Sequence, residues 1–346
     1  MALEPGSPGP QSVEARPSAW GGLLAILDTP QKRGIAIVLI LAAMVIAPQA
    51  FGPYATVILT NALLYTILAL GLNVVVGYAG LLDLGYAAFF AVGAYSVGIL
   101  TTEFGWNFWA TIPVAVIVAM IAGVIIGGPT LRLRSDYLAI VTLGFGEIVR
   151  IAARNLQITG AASGISGIEQ PWLFGWHIAR QVDFYYVFLV LAVIAVLTSV
   201  RLANSRLGRA WLYVRHDEDA AEAMGIDRVR VKLAAYIIGA IYGSIGGAFF
   251  AVNLTAISPQ SFSFQQSTLF LMAVVLGGMG KIPGVILGAF IVVLGPELLR
   301  DAGPLQPVLD ILHIPMPPTF RYLVFAVFLL VVMLFRPSGI WPGGKR

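Results

Sequence analysis

The apolar run from Phe108 to Gly128 decides the fold of this chain. It reads FWATIPVAVIVAMIAGVIIGG and contains no charged residue. A helix needs about 20 residues to cross the hydrocarbon core of a bilayer, which is roughly 30 Å thick. The run has this length, and almost all of its side chains are apolar. We therefore predict a membrane-spanning helix at residues 108–128.

The composition of the whole chain extends this conclusion. Of 346 residues, 58% are hydrophobic and 11% are charged, whereas about 25% are charged in ordinary soluble domains. A soluble protein covers its surface with polar groups, so most of this exterior must face lipid. The absence of cysteine excludes a disulfide framework, a thiolate metal site and cysteine catalysis.

Working outward from residues 108–128, the same length criterion divides the chain into ten apolar segments. The region around Gly277 to Gly284 is rich in Gly and Pro, which break or bend helices, so eight to ten spans are expected. The predicted fold class is all-α, a polytopic transmembrane helical bundle. The segments are 34–50, 55–76, 83–101, 108–128, 136–153, 183–200, 234–253, 265–279, 284–299 and 320–335.

The basic residues predict the orientation of the bundle, because short loops rich in Lys and Arg stay on the cytoplasmic side. Most of these loops would share one side if both termini are cytoplasmic, although Arg154, Arg180 and Arg300 fall on the other. We predict a flexible tail at 1–31, a permease domain at 32–340 with a polar loop at 201–233, and a C-terminal tail at 341–346. The basic residues on the shared side are Lys32, Arg33, Arg132, Arg134, seven between 201 and 232, Lys281, Arg336, Lys345 and Arg346.

Small residues recur at spacings that allow helices to approach closely in lipid. A weak internal similarity also links residues 75–80 (VVGYAG) with residues 274–280 (VVLGGMG), which suggests a repeat. The spaced pairs and triplets are Gly123 with Gly127, Gly239 with Gly243 and Gly247, and Gly284 with Gly288.

Several function classes lack the residues that they need. His177, His216 and His313 fall in different loops without a carboxylate at metal-ligand spacing. The stretch GGMGKIPG at 277–284 is not a phosphate-binding loop, because Val275 and Ile282 stand where Gly and Ser or Thr are required. Lys and Arg form no stripe for nucleic acid. No catalytic site is predicted, and any pumping needs a separate ATPase or an ion gradient.

The segment from 204 to 236 is the longest polar interruption of the chain. Asp217 is suited to cap the N-terminus of a short helix, and Gly225 stands where a left-handed C-terminal cap belongs. Such a helix is either a solvated loop helix or a knob for the socket of another protein. One of its sides is small and apolar, with Ala220, Ala223 and Met224.

The stretch EDAAEAMG, residues 218–225, resembles the loop that permeases of ATP-binding-cassette importers insert into their ATPase subunits. Two longer stretches resemble the branched-chain amino acid permease family, in its LivM-type subunit, and the resemblance extends over about 55–340. A Pro that often closes the coupling motif in other importers is missing after Lys232. The two stretches are GLNVVVGYAGLLDLGYAAFF at 71–90 and SDYLAIVTLGFGEIVR at 135–150.

This resemblance implies an import permease for aliphatic amino acids in the bacterial inner membrane, without a cofactor of its own. The implied partners are a second homologous permease, two cytoplasmic ATP-binding subunits and an external substrate-binding protein. Urea or short amides as cargo, or an ion-coupled transporter working alone, remain alternatives. The residues expected to couple to the ATPases are Asp217, Glu218, Ala220, Ala221, Glu222, Ala223 and Gly225.

Polar groups inside the spans are the candidates for the translocation path, because they are costly in lipid. Glu147 and Arg150 are three residues apart, so they either neutralise each other or lie in the path. Asp83 either lies in the path or starts a span at the membrane surface. The loop 155–181 is a candidate platform for the binding protein, or else folds back on the bundle. The path candidates are Asn61, Asn73, Asp83, Glu147, Arg150 and Asn253.

Overall fold

The computed structural model describes residues 30–130, 135–173, 175–298, 320–336 and 339–341. The chain divides into two compact units, residues 1–50 and 51–346. The predicted tails, 1–31 and 341–346, lie outside the described residues except at Pro30, Gln31 and Trp341.

Helices dominate the described chain, and every predicted apolar segment overlaps one of them. Residues 34–50 and 55–76 both lie largely in the first helix, which Gly52 interrupts with a φ of 79°. A π-helical turn, Asn73–Tyr78, follows directly. The helices are α1 (Pro30–Leu72), α2 (Ala87–Thr102), α3 (Phe108–Thr130), α4 (Ser135–Asn155), α5 (Gln181–Ala203), α6 (Arg206–His216), α7 (Glu218–Ala223), α8 (Arg228–Leu254), α9 (Phe264–Gly277), α10 (Ile282–Leu298) and α11 (Phe320–Phe335).

Length and apolarity separate these helices into groups. Within the described residues, four segments are long and apolar enough to cross a membrane, namely Val38–Tyr78, Phe108–Gly128, Gln181–Ala203 and Arg228–Leu254. Helices α2, α9 and α10 are apolar but shorter. Helix α4 has 21 residues and is also long enough, but it carries three charges between Glu147 and Arg154. The chain is thus a polytopic helical membrane protein.

The predicted span 83–101 begins later than expected, at Ala87. Residues 79–86 form a non-helical turn, in which Gly80 adopts a φ of 71°. The Asp83 carboxylate accepts a hydrogen bond from the Gly85 amide at 2.8 Å and holds the chain out of helical geometry. Asp83 is almost fully buried, so it does not lie on an open surface of the chain.

Helix α8 is the centre of the bundle, and both α2 and α3 pack along it. The close approach of α2 and α8 depends on glycine. A Cβ atom on Gly247 would overlap the carbonyl oxygen of Phe90, and one on Gly243 would lie 2.8 Å from the Phe89 Cβ. The spacing of Gly239, Gly243 and Gly247 therefore has the packing role that the sequence suggested.

The loop between α4 and α5 folds into short strands. They are β1 (Ile165–Ser166), β2 (Trp172–Leu173) and β3 (Trp176–His177), and β4 (Ala256–Ile257) follows α8. Strand β1 pairs antiparallel with β4, and β2 pairs antiparallel with β3. The pairing of β1 with β4 ties the loop to the C-terminal end of α8.

The glycine contact between α2 and α8 is testable by single methyl groups. Gly247→Ala places a Cβ against the Phe90 carbonyl oxygen, and we expect it to destabilise the folded chain by at least about 1–3 kcal/mol. Gly128→Ala is the matched control, because nothing lies within 4 Å of its added Cβ. Thermal unfolding in detergent compares them, and equal melting temperatures would contradict the glycine contact.

Candidate functional site

The short helix α7 forms as the sequence predicts, with both of its caps in place. The Asp217 carboxylate accepts hydrogen bonds of 3.0 Å from the amides of Asp219 and Ala220. Gly225 adopts a φ of 83°. The Gly225 amide donates to the Glu222 carbonyl, and the Ile226 amide donates to that of Ala221, at 2.9 and 3.0 Å. This pattern is a Schellman C-terminal cap.

Ion pairs hold α7 against the first turns of α8. The ammonium group of Lys232, which is buried, lies 2.6 Å from the Glu218 carboxylate. Arg228 contacts the carboxylates of Glu222 and Asp219 at 3.3 and 3.6 Å. Exposed ion pairs each stabilise by less than about 1 kcal/mol, whereas loss of the Glu218 carboxylate would leave the buried Lys232 ammonium uncompensated. The acidic residues of α7 thus serve as attachments within the chain.

One side of α7 takes no part in these ion pairs and is exposed. Ala220, Ala223 and Met224 are all exposed, and Met224 retains 63% of its accessible surface. Ala221 is fully buried, so it packs inside the segment rather than on its surface. The predicted small, apolar side therefore faces outward and is available to another protein, whereas Ala221 supports it from within.

Helix α6 connects this surface to the interrupted end of the first helix. The indole nitrogen of Trp211 donates a 2.7 Å hydrogen bond to the Val231 carbonyl of α8. The Trp211 ring also stacks nearly parallel on Tyr78, with centroids 6.3 Å apart. From the next turn, the Arg215 guanidinium donates to the carbonyl oxygen of Gly77. Neither Trp211 nor Arg215 was among the residues that the sequence singled out.

Two interruptions of the helical bundle touch each other. The Gly280 amide, between α9 and α10, donates a 2.8 Å hydrogen bond to the Asn73 side-chain oxygen in the π-helical turn. A Cβ on Gly77 would lie 2.6 Å from the Gly280 nitrogen. These contacts join the two stretches, 75–80 and 274–280, whose weak similarity indicated a repeat. Arg215 lies beside this junction, 3.5 Å from where a Gly280 Cβ would stand.

The candidates for the translocation path do not converge on one site. Asn73 is buried at the junction with Gly280, and Asp83 is buried in the turn before α2. Glu147 and Arg150 pair with each other, and the Arg150 Nε lies 2.9 and 3.0 Å from the two carboxylate oxygens. Asn61 and Asn253 are half-buried on other helices.

The loop 155–181 carries exposed aromatic side chains. Trp172 and Trp176 are both exposed, and the Trp172 ring stacks on His177 with centroids 4.5 Å apart. An open cavity of about 370 Å³ lies between this hairpin and the end of α8. Its lining comprises Ile168, Glu169, Gln170, Trp172, His177 and Thr255.

Comparison with known proteins identifies the family. The family described as the permease component of branched-chain amino acid transport systems matches residues 54–333. LivM, a permease protein of the high-affinity branched-chain amino acid transport system in Salmonella typhimurium, is 40% identical over 309 residues, which are 82% of this chain and 69% of LivM. Escherichia coli LivM is 38% identical over 344 residues, 92% of this chain and 77% of that protein.

A probable LivM from Methanocaldococcus jannaschii is 29% identical over 324 residues, 81% of this chain and 90% of the relative. No solved structure matches the chain. The helical bundle and its matches thus define a membrane permease component. The chain belongs to the family of branched-chain amino acid transport system permeases.

The C-terminal cap of α7 is testable through the backbone conformation of Gly225. A β-branched residue at this left-handed position costs about 1–2 kcal/mol, and Asn tolerates the position better. We expect Gly225→Val to speed amide hydrogen exchange at residues 217–226 by about fivefold to thirtyfold. Gly225→Asn should change it much less. Equal exchange in the two variants would contradict the role of the left-handed cap.

Proposed function

We propose that this chain is the membrane-spanning subunit of an ATP-driven importer of branched-chain amino acids. The observation that carries the proposal is the match to LivM proteins over most of the chain, together with an exposed apolar surface on α7. The chain would bind no ATP itself, because GGMGKIPG departs from a phosphate-binding loop at Val275 and Ile282.

The proposed assembly joins this chain to a second homologous permease, two cytoplasmic ATP-binding subunits and an external substrate-binding protein. In the bacterial inner membrane, we place both termini and the 201–233 loop in the cytoplasm, with eight to ten spans. The basic residues of that loop support this orientation. On the opposite side, the exposed Trp172 and Trp176 favour the loop 155–181 as the platform for the binding protein.

Coupling to the ATPase would use the exposed side of α7. Ala220, Ala223 and Met224 are small or flexible apolar groups, which suit insertion into a socket. The caps and the pair between Lys232 and Glu218 make α7 rigid relative to α8. A push on this surface would therefore move α7 and α8 together, as rigid-body switching requires.

The same push would reach the interrupted helices through α6. Trp211 bonds to α8 and stacks on Tyr78, and Arg215 donates to the Gly77 carbonyl. Because helix interruptions line cavities and absorb motion in transporters, we propose that Arg215 transmits the movement of α7 to the junction of Asn73 and Gly280.

The contact with the ATPase is tested at Met224. We expect Met224→Asp to abolish co-purification of the ATP-binding subunits, because a buried, unpaired carboxylate is strongly unfavourable in an apolar socket. Met224→Leu has a similar volume and should retain them. The change lies on an exposed side chain, so the bundle should stay folded. Wild-type recovery of the ATPases with Met224→Asp would refute the contact.

The transmission role is tested at Arg215. We expect Arg215→Ala to retain the ATPases and their ATP hydrolysis but to lower leucine import by about tenfold, since a charge-assisted hydrogen bond is worth about 1.5–3 kcal/mol. Arg209→Ala is the matched control, because Arg209 is an exposed residue of the same helix and its guanidinium donates to the Asn204 carbonyl at 3.1 Å. Similar import by both variants would contradict the proposal.

Reconstitution in proteoliposomes separates this function from the alternatives. The complete complex with its binding protein should take up leucine only when ATP is supplied on the side of the membrane where the ATP-binding subunits lie. Uptake of urea or acetamide in preference to leucine would favour the amide-importing version of the same machinery. Uptake by the purified single chain under an ion gradient, without ATP, would establish a secondary transporter.

A further inference from the structure

Helix α4 differs from the apolar spans in what it exposes. Its buried side is formed by Leu138, Thr142 and Ala153, which pack against the bundle. The opposite side is open, with 68% of the Ile140 surface and 64% of the Ile148 surface accessible. Ile140, Gly144, Glu147 and Ile151 follow one another at intervals of three or four residues, so they form a single stripe. We call this stripe, together with Arg150, the open face of α4.

The open face carries an ion pair beside its isoleucine side chains, and the exposed Arg154 follows in the last turn of the helix. Glu147 and Arg150 keep 39% and 21% of their side-chain surface accessible. The two are bonded to each other through the Arg150 guanidinium. A charge pair that faces hydrocarbon is costly even when it is matched. By comparison, α3 and α5 expose Ile121 and Ile194 among apolar neighbours, as lipid-facing helices do.

The open face has no side chain at Gly144, near the ion pair. Gly144 lies one turn before Glu147, and a Cβ atom placed on it would meet nothing within 4 Å. Gly93 of α2 and Gly247 of α8 differ, because there an added Cβ would overlap a backbone carbonyl oxygen. Gly144 therefore lies on the unpacked side of α4, one turn before Glu147.

We propose that the open face of α4 lines the translocation path and binds the backbone of a zwitterionic amino acid. Glu147 would accept from the α-ammonium group, and Arg150 would donate a bidentate pair to the α-carboxylate. Ile140 and Ile151 would contact the aliphatic side chain. This inference rests on the proposed function, and it adds the groups that recognise the cargo within the membrane.

The chemistry of the pair explains why these charges suit such a cargo. Without substrate, each charge has the other as its partner, so neither is left isolated in the membrane. A bound amino acid brings one ammonium and one carboxylate, which replace the internal partners one for one. One internal ion pair is replaced by two ion pairs to the substrate, and the internal pair re-forms when the substrate leaves, so no charge is left unpaired. A neutral amide would lack both charges and offer no such exchange.

Thiol labelling tests where the open face points, and the absence of native cysteine makes the chain a ready background. We would label Gly144→Cys and Ile140→Cys with a charged, membrane-impermeant thiol reagent, in the assembled complex and in the isolated chain. Ile121→Cys and Ile194→Cys are the controls on the apolar helices α3 and α5. We expect the α4 variants to react in the complex, while the controls stay unlabelled. Leucine at about 1 mM, roughly a thousandfold above a micromolar dissociation constant, should slow the reaction of the α4 variants.

Each other outcome overturns the proposal in a defined way. Thiols on α4 that stay unlabelled in both preparations would assign the open face to lipid. Thiols that react in the isolated chain but not in the complex would assign it to the permease interface. Labelling in the complex that leucine does not slow would show a water-filled path without this binding site.

Substitution of the pair supplies the functional readout. We expect Glu147→Gln and Arg150→Lys to retain the ATPases but to lower leucine import by roughly tenfold to a hundredfold, as loss of a charge-assisted bond predicts. The exchanged double variant, Glu147→Arg with Arg150→Glu, keeps the ion pair and should stay impaired. Wild-type import by the double variant would show that the ion pair has only a structural role. Failure of the wild-type complex to import leucine would refute the proposed function, whereas labelling is read without transport.

Discussion

Helix α8 is the constraint on which the other parts of the structure depend. Its middle turns approach α2 through Gly243 and Gly247, at a distance that no larger residue allows. Its first two turns carry Arg228 and Lys232, which hold the short helix α7. Its last residues lead into β4, which pairs with the loop before α5. One rigid element thus links the packed core to structures at both of its ends.

The contacts around Arg215 connect helices α6, α7 and α8 to the interrupted helices of the bundle. Ion pairs join α7 to the first two turns of α8, and the Trp211 hydrogen bond joins α6 to α8. The three helices therefore behave as one body. That body touches the bundle where two helices are already interrupted, at Gly77 and Gly280. Interrupted helices deform more easily than continuous ones, because their backbone hydrogen bonds are incomplete. Motion would therefore concentrate at this junction.

Local patterns in the sequence predict the helices and caps well. Length and apolarity alone predict the helix at residues 108–128. Residues within one turn of the helix end predict the caps at Asp217 and Gly225. The burial of Ala221 and the pairing of Glu218 with Lys232 depend on how α7 folds back on α8. No local sequence pattern predicts how α7 folds back against α8. The late start of α2 has a similar cause, since Asp83 looks like a helix start but is held in a turn.

The hydrogen bond between Asn73 and Gly280 has a consequence for biogenesis. Its partners are 207 residues apart, so at about 5–20 residues per second the ribosome needs roughly 10–40 s to supply the second partner. During that interval the Asn73 amide oxygen has no Gly280 amide to bond. A polar side chain without a partner is unfavourable in hydrocarbon, so the π-helical turn gains this stabilising contact only after the segment between α9 and α10 has been synthesised.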